Sequence, residues 1–271
     1  MPERVKVVMK PFIKWAGGKR WLTDHELLKQ PSFLGRYIEP FLGGGAMFFN
    51  LQPRKSILSD LNLRLIETYK AIRSDPETVR KLLQQHHENH CTDYYYSTRD
   101  AKPESGPGQA AQFLYLNRTC WNGLYRENLS GKFNVPIGTK SHVYDPAEDF
   151  LAISVLLQQA EIECCDFEKT IDRSCAGDFV FCDPPYTTAH NMNGFVKYNQ
   201  QIFSWEDQVR LHGAAARASQ RGATVIVTNA DHPSLHSLYG AAESIEVVQR
   251  ASVISGVNKG RRETSEILVT V

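Results

Sequence analysis

The tetrapeptide Asp183-Pro184-Pro185-Tyr186, which follows the apolar run FVFC, concentrates more reactive chemistry than any other short stretch of the chain. Consecutive prolines fix their own φ and push the residue before each towards extended backbone, so the segment is a stiff turn. Such a turn presents a carboxylate, a proline carbonyl and a phenol ring at set separations. That trio suits an aromatic amine, whose lone pair is delocalised into its ring. Hydrogen bonds from the amine to Asp183 and to the Pro184 carbonyl would push the nitrogen towards sp3 and free the pair. Tyr186 offers a face on which the ring can stack. Positioning and local electrostatics would then supply the acceleration, with no covalent intermediate.

A second group of residues points to a nucleotide-like ligand. Glu39-Pro40-Phe41-Leu42-Gly43-Gly44-Gly45 follows a short apolar run and leads into a helical pattern. Glycines there carry no Cβ, which lets a ligand pack on the backbone. Neither GxGxxG nor GxxxxGK[ST] is present, so the loop is not a dinucleotide or P-loop signature. Asp60 ends the next apolar run, where an acid can accept from both hydroxyls of a ribose. The same residue could cap the helix that LNLRLIETYK predicts, and the two roles are compatible.

These residues need a sheet to position them. YIEPF (37–41), KSILSD (55–60), FVFCD (179–183) and ATVIVTNAD (223–231) read as buried parallel strands. SWEDQVRLHGAAARASQRG has helical spacing, a cap at Ser204 and a stop at Gly222, so 179–230 reads as a βαβ unit. Ligands of such sheets lie at the carboxyl ends of the strands, where Glu39–Gly45, Asp60 and Asp183 would converge. Residues 62–120 carry helical periodicity, and the NG and SG turns of WNGLYRENLSGKFNVPIG (121–138) predict a hairpin. The expected fold is α/β: a doubly wound, Rossmann-like sheet (1–61 and 150–271) interrupted by a mostly helical lobe with a β-hairpin (62–149).

Composition sets the outer bounds. Of 271 residues, 42% are hydrophobic and 10% aromatic, enough for a packed core and against disorder. No apolar run is long enough to span a membrane, and the start lacks a signal peptide's apolar stretch, so a cytosolic protein is expected. The six cysteines have no CxxC spacing and read as reduced thiols, mostly small hydrophobes. His86 and His90 in HHENH share a helical face, but a solvated polar helix end is the commoner use of that pattern, and no metal is expected. A net charge of +1 neither marks nor excludes nucleic acid, although KWAGGKR and GVNKGRR are local basic clusters.

Together these motifs resemble the Dam-type, alpha-class (D12 class) DNA adenine-N6 methyltransferases, along nearly the whole chain and in that family's motif order. The resemblance implies S-adenosylmethionine as cofactor, double-stranded DNA as partner and a flipped-out adenine as substrate, since a stacked base cannot reach such a pocket. PFIKWAGGKR (11–20) is similar to the family's N-terminal cofactor motif, which places Trp15 and Lys19 at the cofactor. EPFLGGG is similar to its glycine loop (Glu39, Phe41, Gly43, Gly45), and Asp60 to its ribose-binding acid. Asp166-Phe167 resembles the strand-end motif beside the cofactor's adenine, and DPPY the catalytic motif, with Asp183 serving both ligands.

NRTCWNGLYRENLSGKFNVPIG (117–138) looks like the recognition hairpin of members that read GATC. The resemblance gives Arg126 a guanine, whose O6 and N7 suit a bidentate guanidinium, with Asn122 and Leu124 at neighbouring base edges and Trp121 as a wedge. The chain departs from the family directly afterwards, at Thr139-Lys140-Ser141-His142-Val143-Tyr144, which bears on the outer base pairs of the site. ASVISGVNKGRRETSEILVTV resembles the closing hairpin, with Lys259, Arg261 and Arg262 at phosphates. The alternatives are an RNA adenine methyltransferase on the same fold, or a DNA-binding regulator that has lost catalysis. An acidic first residue in DPPY and an intact glycine loop favour the DNA enzyme.

Overall fold

A computed structural model describes residues 9–23, 25–29, 31–123, 125–126, 132–188, 203–251 and 263–271. The chain forms two compact units, Met1–Pro31 with Leu42–Cys164, and Ser32–Phe41 with Cys165–Val271. The strands belong to a seven-stranded mixed sheet.

The first unit contributes β2 (Ser56–Asp60) and β3 (Ala160–Cys164), paired in parallel from Ser56↔Ala160 to Asp60↔Cys164. Around them lie α1 (Glu26–Lys29), α2 (Ala46–Leu51), α3 (Leu63–Ser74), α4 (Pro76–Glu88), α5 (Thr92–Asp100), α6 (Gly106–Thr119) and α7 (Phe150–Leu157). The caps follow local chemistry: Asn62, Asp75, Ser105 and Asp149 each accept from a backbone N–H in the first turn of α3, α4, α6 and α7. Asp60 therefore does not cap α3. Asn62 takes that place because its side chain reaches the Leu65 N–H at 2.9 Å. Helix α6 is buried along most of its length, with Phe113, Leu114, Tyr115 and Leu116 in the core. The middle of the chain is helical, as its periodicity predicts.

The second unit holds β1 (Tyr37–Glu39), β4 (Phe179–Cys182), β5 (Thr224–Ala230), β6 (Ser244–Ala251) and β7 (Glu263–Thr270), in the order β1-β4-β5-β7-β6. The pairs β1–β4 and β4–β5 are parallel, while β7 lies antiparallel between β5 and β6. Helix α8 (Phe167–Ile171) follows Asp166, α9 (Trp205–Gln220) crosses from β4 to β5, and α10 (Pro233–Leu238) follows β5. Ser204 caps α9 in a full capping box with Asp207. Beyond Arg221, Gly222 takes the left-handed φ of +87° that ends the helix. The βαβ unit expected over 179–230 is present.

Among the described residues, no helix is long and apolar enough to cross a membrane. All six cysteines are free, but only Cys120 and Cys182 are buried; Cys91, Cys164 and Cys175 are exposed. Most are therefore not the buried small hydrophobes that the sequence predicts.

Candidate active site

In the first unit, the glycine loop is packed by the protein itself. Leu42 N–H binds the Ser59 carbonyl at 2.9 Å, Gly43 N–H binds Asp60 Oδ2 at 3.0 Å, and Tyr69 Oη donates to the Gly43 carbonyl at 3.1 Å. Gly43 and Gly45 have φ of +46° and +64°, in the left-handed region open to glycine. A Cβ on Gly43 would stand 2.6 Å from Trp15 Cδ1, and one on Gly45 would stand 2.9 Å from the Tyr69 hydroxyl. The bare backbone at Gly43 and Gly45 thus receives Trp15 and Tyr69.

Trp15 stacks on Tyr125, with ring centroids 6.2 Å apart. Its segment is clamped from α6. Buried Asn117 accepts from Lys14 N–H at 3.0 Å and donates to the Lys14 carbonyl at 2.8 Å, and Arg118 donates to the Phe12 carbonyl at 2.8 Å. Lys19 is 3% exposed, its ammonium 2.8 Å from the Gly17 carbonyl, whereas Lys14 and Ala16–Gly18 of the same loop are exposed.

Asp60 sits at the end of β2 and takes the Gly43 and Asn62 N–H groups, one on each carboxylate oxygen. Burial pushes its pKa up, and these backbone donors act against the rise. The Leu61 N–H binds it as well, so of about four acceptor positions on a carboxylate three are taken by backbone and about one is left.

In the second unit, β4 delivers Asp183 and its turn. Thr228 donates to Asp183 Oδ1 at 2.6 Å, and Tyr186 donates to Glu266 Oε2 at 2.6 Å. Burial, and after it the Asp183 and Glu266 carboxylates, hold the Tyr186 hydroxyl well above the usual phenol range, so it stays a donor. Pro184 is buried in the turn. The residues after it are pinned too: Thr187 donates to the Phe203 carbonyl at 2.6 Å, and Gln208 bridges the Thr187 carbonyl and Asn229.

Glu39, buried at the end of β1, accepts from Tyr37 at 2.8 Å. Phe41 stacks on Phe167 at 5.2 Å and meets Phe203 edge-on at 5.6 Å. Asp166 caps α8 through the Glu168 N–H and ion-pairs with Arg210 at 2.8 Å; the Arg210 guanidinium also lies 4.8 Å over the Phe167 ring. Sequence reasoning missed Thr228, Glu266, Phe203 and Arg210. Only Glu266 leaves a local trace, as an acid inside the apolar SEILVTV run.

The segment expected to contact nucleic acid falls partly within the described residues. Trp121–Gly123 forms a 3-10 turn with Asn122 at φ +56°, and the Trp121 indole is 55% exposed. The base of the expected hairpin is antiparallel: Cys120 bridges Ile137, Trp121 N–H binds the Pro136 carbonyl at 2.9 Å, and Gly138 N–H binds the Thr119 carbonyl at 2.7 Å. Lys14 Nζ donates to the Asn122 carbonyl. Burial, then the charge of Lys140, lower the Lys14 pKa. Arg126 is exposed. Leu124 and the hairpin tip, like Lys259, Arg261 and Arg262, lie outside the described residues. In the departing segment, His142 packs edge-on against His87 and Tyr144 accepts from Arg80 at 3.0 Å, so both engage α4. His86 and His90 bind the Tyr94 and Tyr115 hydroxyls at 2.9 Å each.

The family model for D12 class N6 adenine-specific DNA methyltransferases matches residues 15–254. The chain belongs to this family. It is similar to the type II methyltransferase M1.LlaDCHI of Lactococcus lactis subsp. cremoris, with 34% identity over 99% of this chain and 97% of that one. The DNA adenine methylase of Escherichia coli K12 is 32% identical over 96% of this chain and 94% of that one. The DNA N-6-adenine-methyltransferase of Escherichia phage P1 is 36% identical, covering 85% of this chain but 31% of the phage protein. The methyltransferase is accordingly an adenine-specific enzyme of DNA, on the α/β fold that its motifs predict.

Proposed function

We propose that this methyltransferase transfers the methyl group of S-adenosylmethionine to N6 of an adenine flipped out of duplex DNA, within GATC. The observation that carries the reading is the DPPY turn, whose Asp183 and Tyr186 are each anchored by a hydrogen bond of 2.6 Å. An enzyme that works by orientation needs its acceptors fixed before the substrate arrives.

The side chains present suit the cofactor. Asp60 keeps an acceptor position for a ribose hydroxyl, the buried Lys19 ammonium matches a methionine carboxylate, and Phe41 with Phe167 provides apolar walls for adenine. Trp15, Glu39, Gly43, Gly45 and Asp166 are likewise assigned to the cofactor. Bound there, the cofactor supplies an electrophilic methyl group on a sulfonium. Asp183 and the Pro184 carbonyl accept the N–H bonds of the target amine and raise the nitrogen's nucleophilicity, while Tyr186 stacks on the flipped base. Trp121 presents an exposed indole fit to wedge into the base stack, and Arg126 reads a guanine. Asn122 and Leu124 are assigned to base edges, Lys259 and Arg261 to phosphates, and 62–149 to target recognition.

The test is methyl-labelled S-adenosylmethionine with a pool of duplex DNAs, followed by identification and mapping of the methylated nucleoside. N6-methyladenine confined to GATC supports the whole reading. The same nucleoside at another sequence refutes the GATC assignment, and label in RNA alone refutes the duplex substrate. Asp183→Ala is expected to bind cofactor and DNA yet to be inert, and retained turnover would remove its assigned role.

A further inference from the structure

The catalytic turn is held by two side chains from neighbouring strands that no sequence motif marks. Thr228 lies on β5 and Glu266 on β7; the antiparallel register pairs Ala230 with Glu266 and Thr228 with Leu268. Positions 228 and 230 share a face of β5, so Glu266 is the diagonal neighbour of Thr228 on that face. From this face Thr228 reaches Asp183, Glu266 reaches Tyr186, and Thr228 also stands within hydrogen-bonding reach of the Tyr186 hydroxyl. Two carboxylates and two hydroxyls thus form one connected set.

Glu266 is 5% exposed, on a strand whose next three residues are core. An apolar residue would fill that place without desolvating a charge, so the carboxylate is a poor choice for stability alone. What it supplies is orientation. A tyrosine on a turn can rotate its ring, whereas a hydroxyl donated to a fixed carboxylate holds the ring plane. Thr228 does the same for the Asp183 carboxylate, which must point two lone pairs at particular N–H bonds.

We propose that Glu266 and Thr228 are positioning residues for methyl transfer, Glu266 setting the Tyr186 ring and Thr228 the Asp183 carboxylate. The proposal rests on the reading of Asp183 and Tyr186 as catalytic groups. It goes beyond the DPPY motif because both supports come from a different part of the chain.

The experiment is a double-mutant cycle in the full-length enzyme. It measures single-turnover methylation, cofactor affinity and the fluorescence of 2-aminopurine at the target position, and each variant is first checked for cooperative unfolding. A hydrogen bond to a charged group contributes about 1.5–3 kcal/mol, so its loss slows the reaction roughly 10- to 100-fold. Glu266→Leu and Tyr186→Phe are each expected to slow single-turnover methylation by that order while leaving cofactor affinity unchanged. Glu266→Gln keeps an acceptor oxygen and is expected to recover much of the rate. Combining Glu266→Leu with Tyr186→Phe is expected to cost no more than Tyr186→Phe alone, since the contact is already gone. Thr228→Val is expected to slow methylation without altering the 2-aminopurine signal, which reports the flipped base and not Asp183.

Additive losses in the double variant, or Tyr186→Phe at the parental rate, overturn the role of Glu266. Thr228→Val at the parental rate overturns that of Thr228. Should Glu266→Leu fail to fold, Glu266→Gln in the Tyr186→Phe background decides the same point. Asp183→Ala separates the two levels: retained turnover there removes the underlying reading, whereas an inert Asp183→Ala with additive cycles removes only the positioning role.

Discussion

Replacing Gly43 with alanine tests the packing of the glycine loop directly. The residue has φ +46°, and an added Cβ would stand 2.6 Å from Trp15 Cδ1 and 3.0 Å from its Nε1. A left-handed conformation costs a non-glycine residue about 1–2 kcal/mol. Overpacking against a ring adds about 1–3 kcal/mol, and the stiffer unfolded chain returns about 0.5 kcal/mol. The expected net loss is about 1.5–4.5 kcal/mol, below a typical stability of roughly 5–15 kcal/mol. The variant therefore folds but melts early, and its displaced Trp15 weakens cofactor binding. Urea denaturation gives the stability and a titration with S-adenosylmethionine the affinity. Gly106→Ala is the comparator, because nothing lies within 4 Å of its Cβ, and it should stay within about 0.5 kcal/mol of the parent. The decisive arm is Gly43→Ala in a Trp15→Ala background. If the loss there equals the loss beside an intact Trp15, the contact is not its source and the loop is not held as described.

Other perturbations probe other parts of the molecule. Asp60→Ala should weaken cofactor binding and leave DNA affinity alone; an unchanged cofactor affinity would reduce Asp60 to a support for Gly43 and Asn62. Arg126→Ala should lose about 1–3 kcal/mol of discrimination at one guanine, read as methylation of single-substituted sites; uniform weakening on every sequence would make Arg126 a phosphate contact. Burial pushes His86 down to about 4, so its neutral form is favoured in the folded lobe. The unfolded chain gains a proton first as pH falls, and stability should be lost between about pH 6.5 and pH 4 by on the order of 3 kcal/mol. His86→Phe should flatten that part of the stability–pH curve, and an unchanged slope would assign it to other groups.

The parts of this fold that are legible from sequence are those with local causes. FVFC and ATVIVTNA are apolar runs of strand length, and Ser204 meets its partner Asp207 three residues on. The DPPY turn is stiff for covalent reasons. What the sequence conceals is whatever depends on residues far apart meeting. Tyr186 and Glu266 are 80 residues apart, and Asn117 meets Lys14 across 103. No periodicity encodes such pairings, because they depend on strand order and on the antiparallel placement of β7 between β5 and β6. The role of Asp60 shows the same limit: an acid at a strand end suggests a helix cap, but Asn62 is better placed for it, and only the backbone path shows that. The glycine loop is legible as a tight turn, though not the packing of Trp15 against Gly43, since nothing in GGG announces it.

The clamp on Lys14 has a thermodynamic consequence. Asn117 and Arg118 grip the Phe12–Lys14 backbone from the end of α6, and the same helix end runs on through Cys120 into Trp121 and Asn122, whose carbonyl takes the Lys14 ammonium. The segment assigned to the cofactor and the turn assigned to DNA therefore share one mechanical mount. Binding free energies linked through a common element are reciprocal: whatever the cofactor does to the affinity for DNA, DNA must do to the affinity for cofactor, by the same factor. With those two assignments, a substitution at Asn117 is expected to change the coupling factor while touching neither ligand, read as a shift in how much S-adenosylmethionine alters DNA affinity.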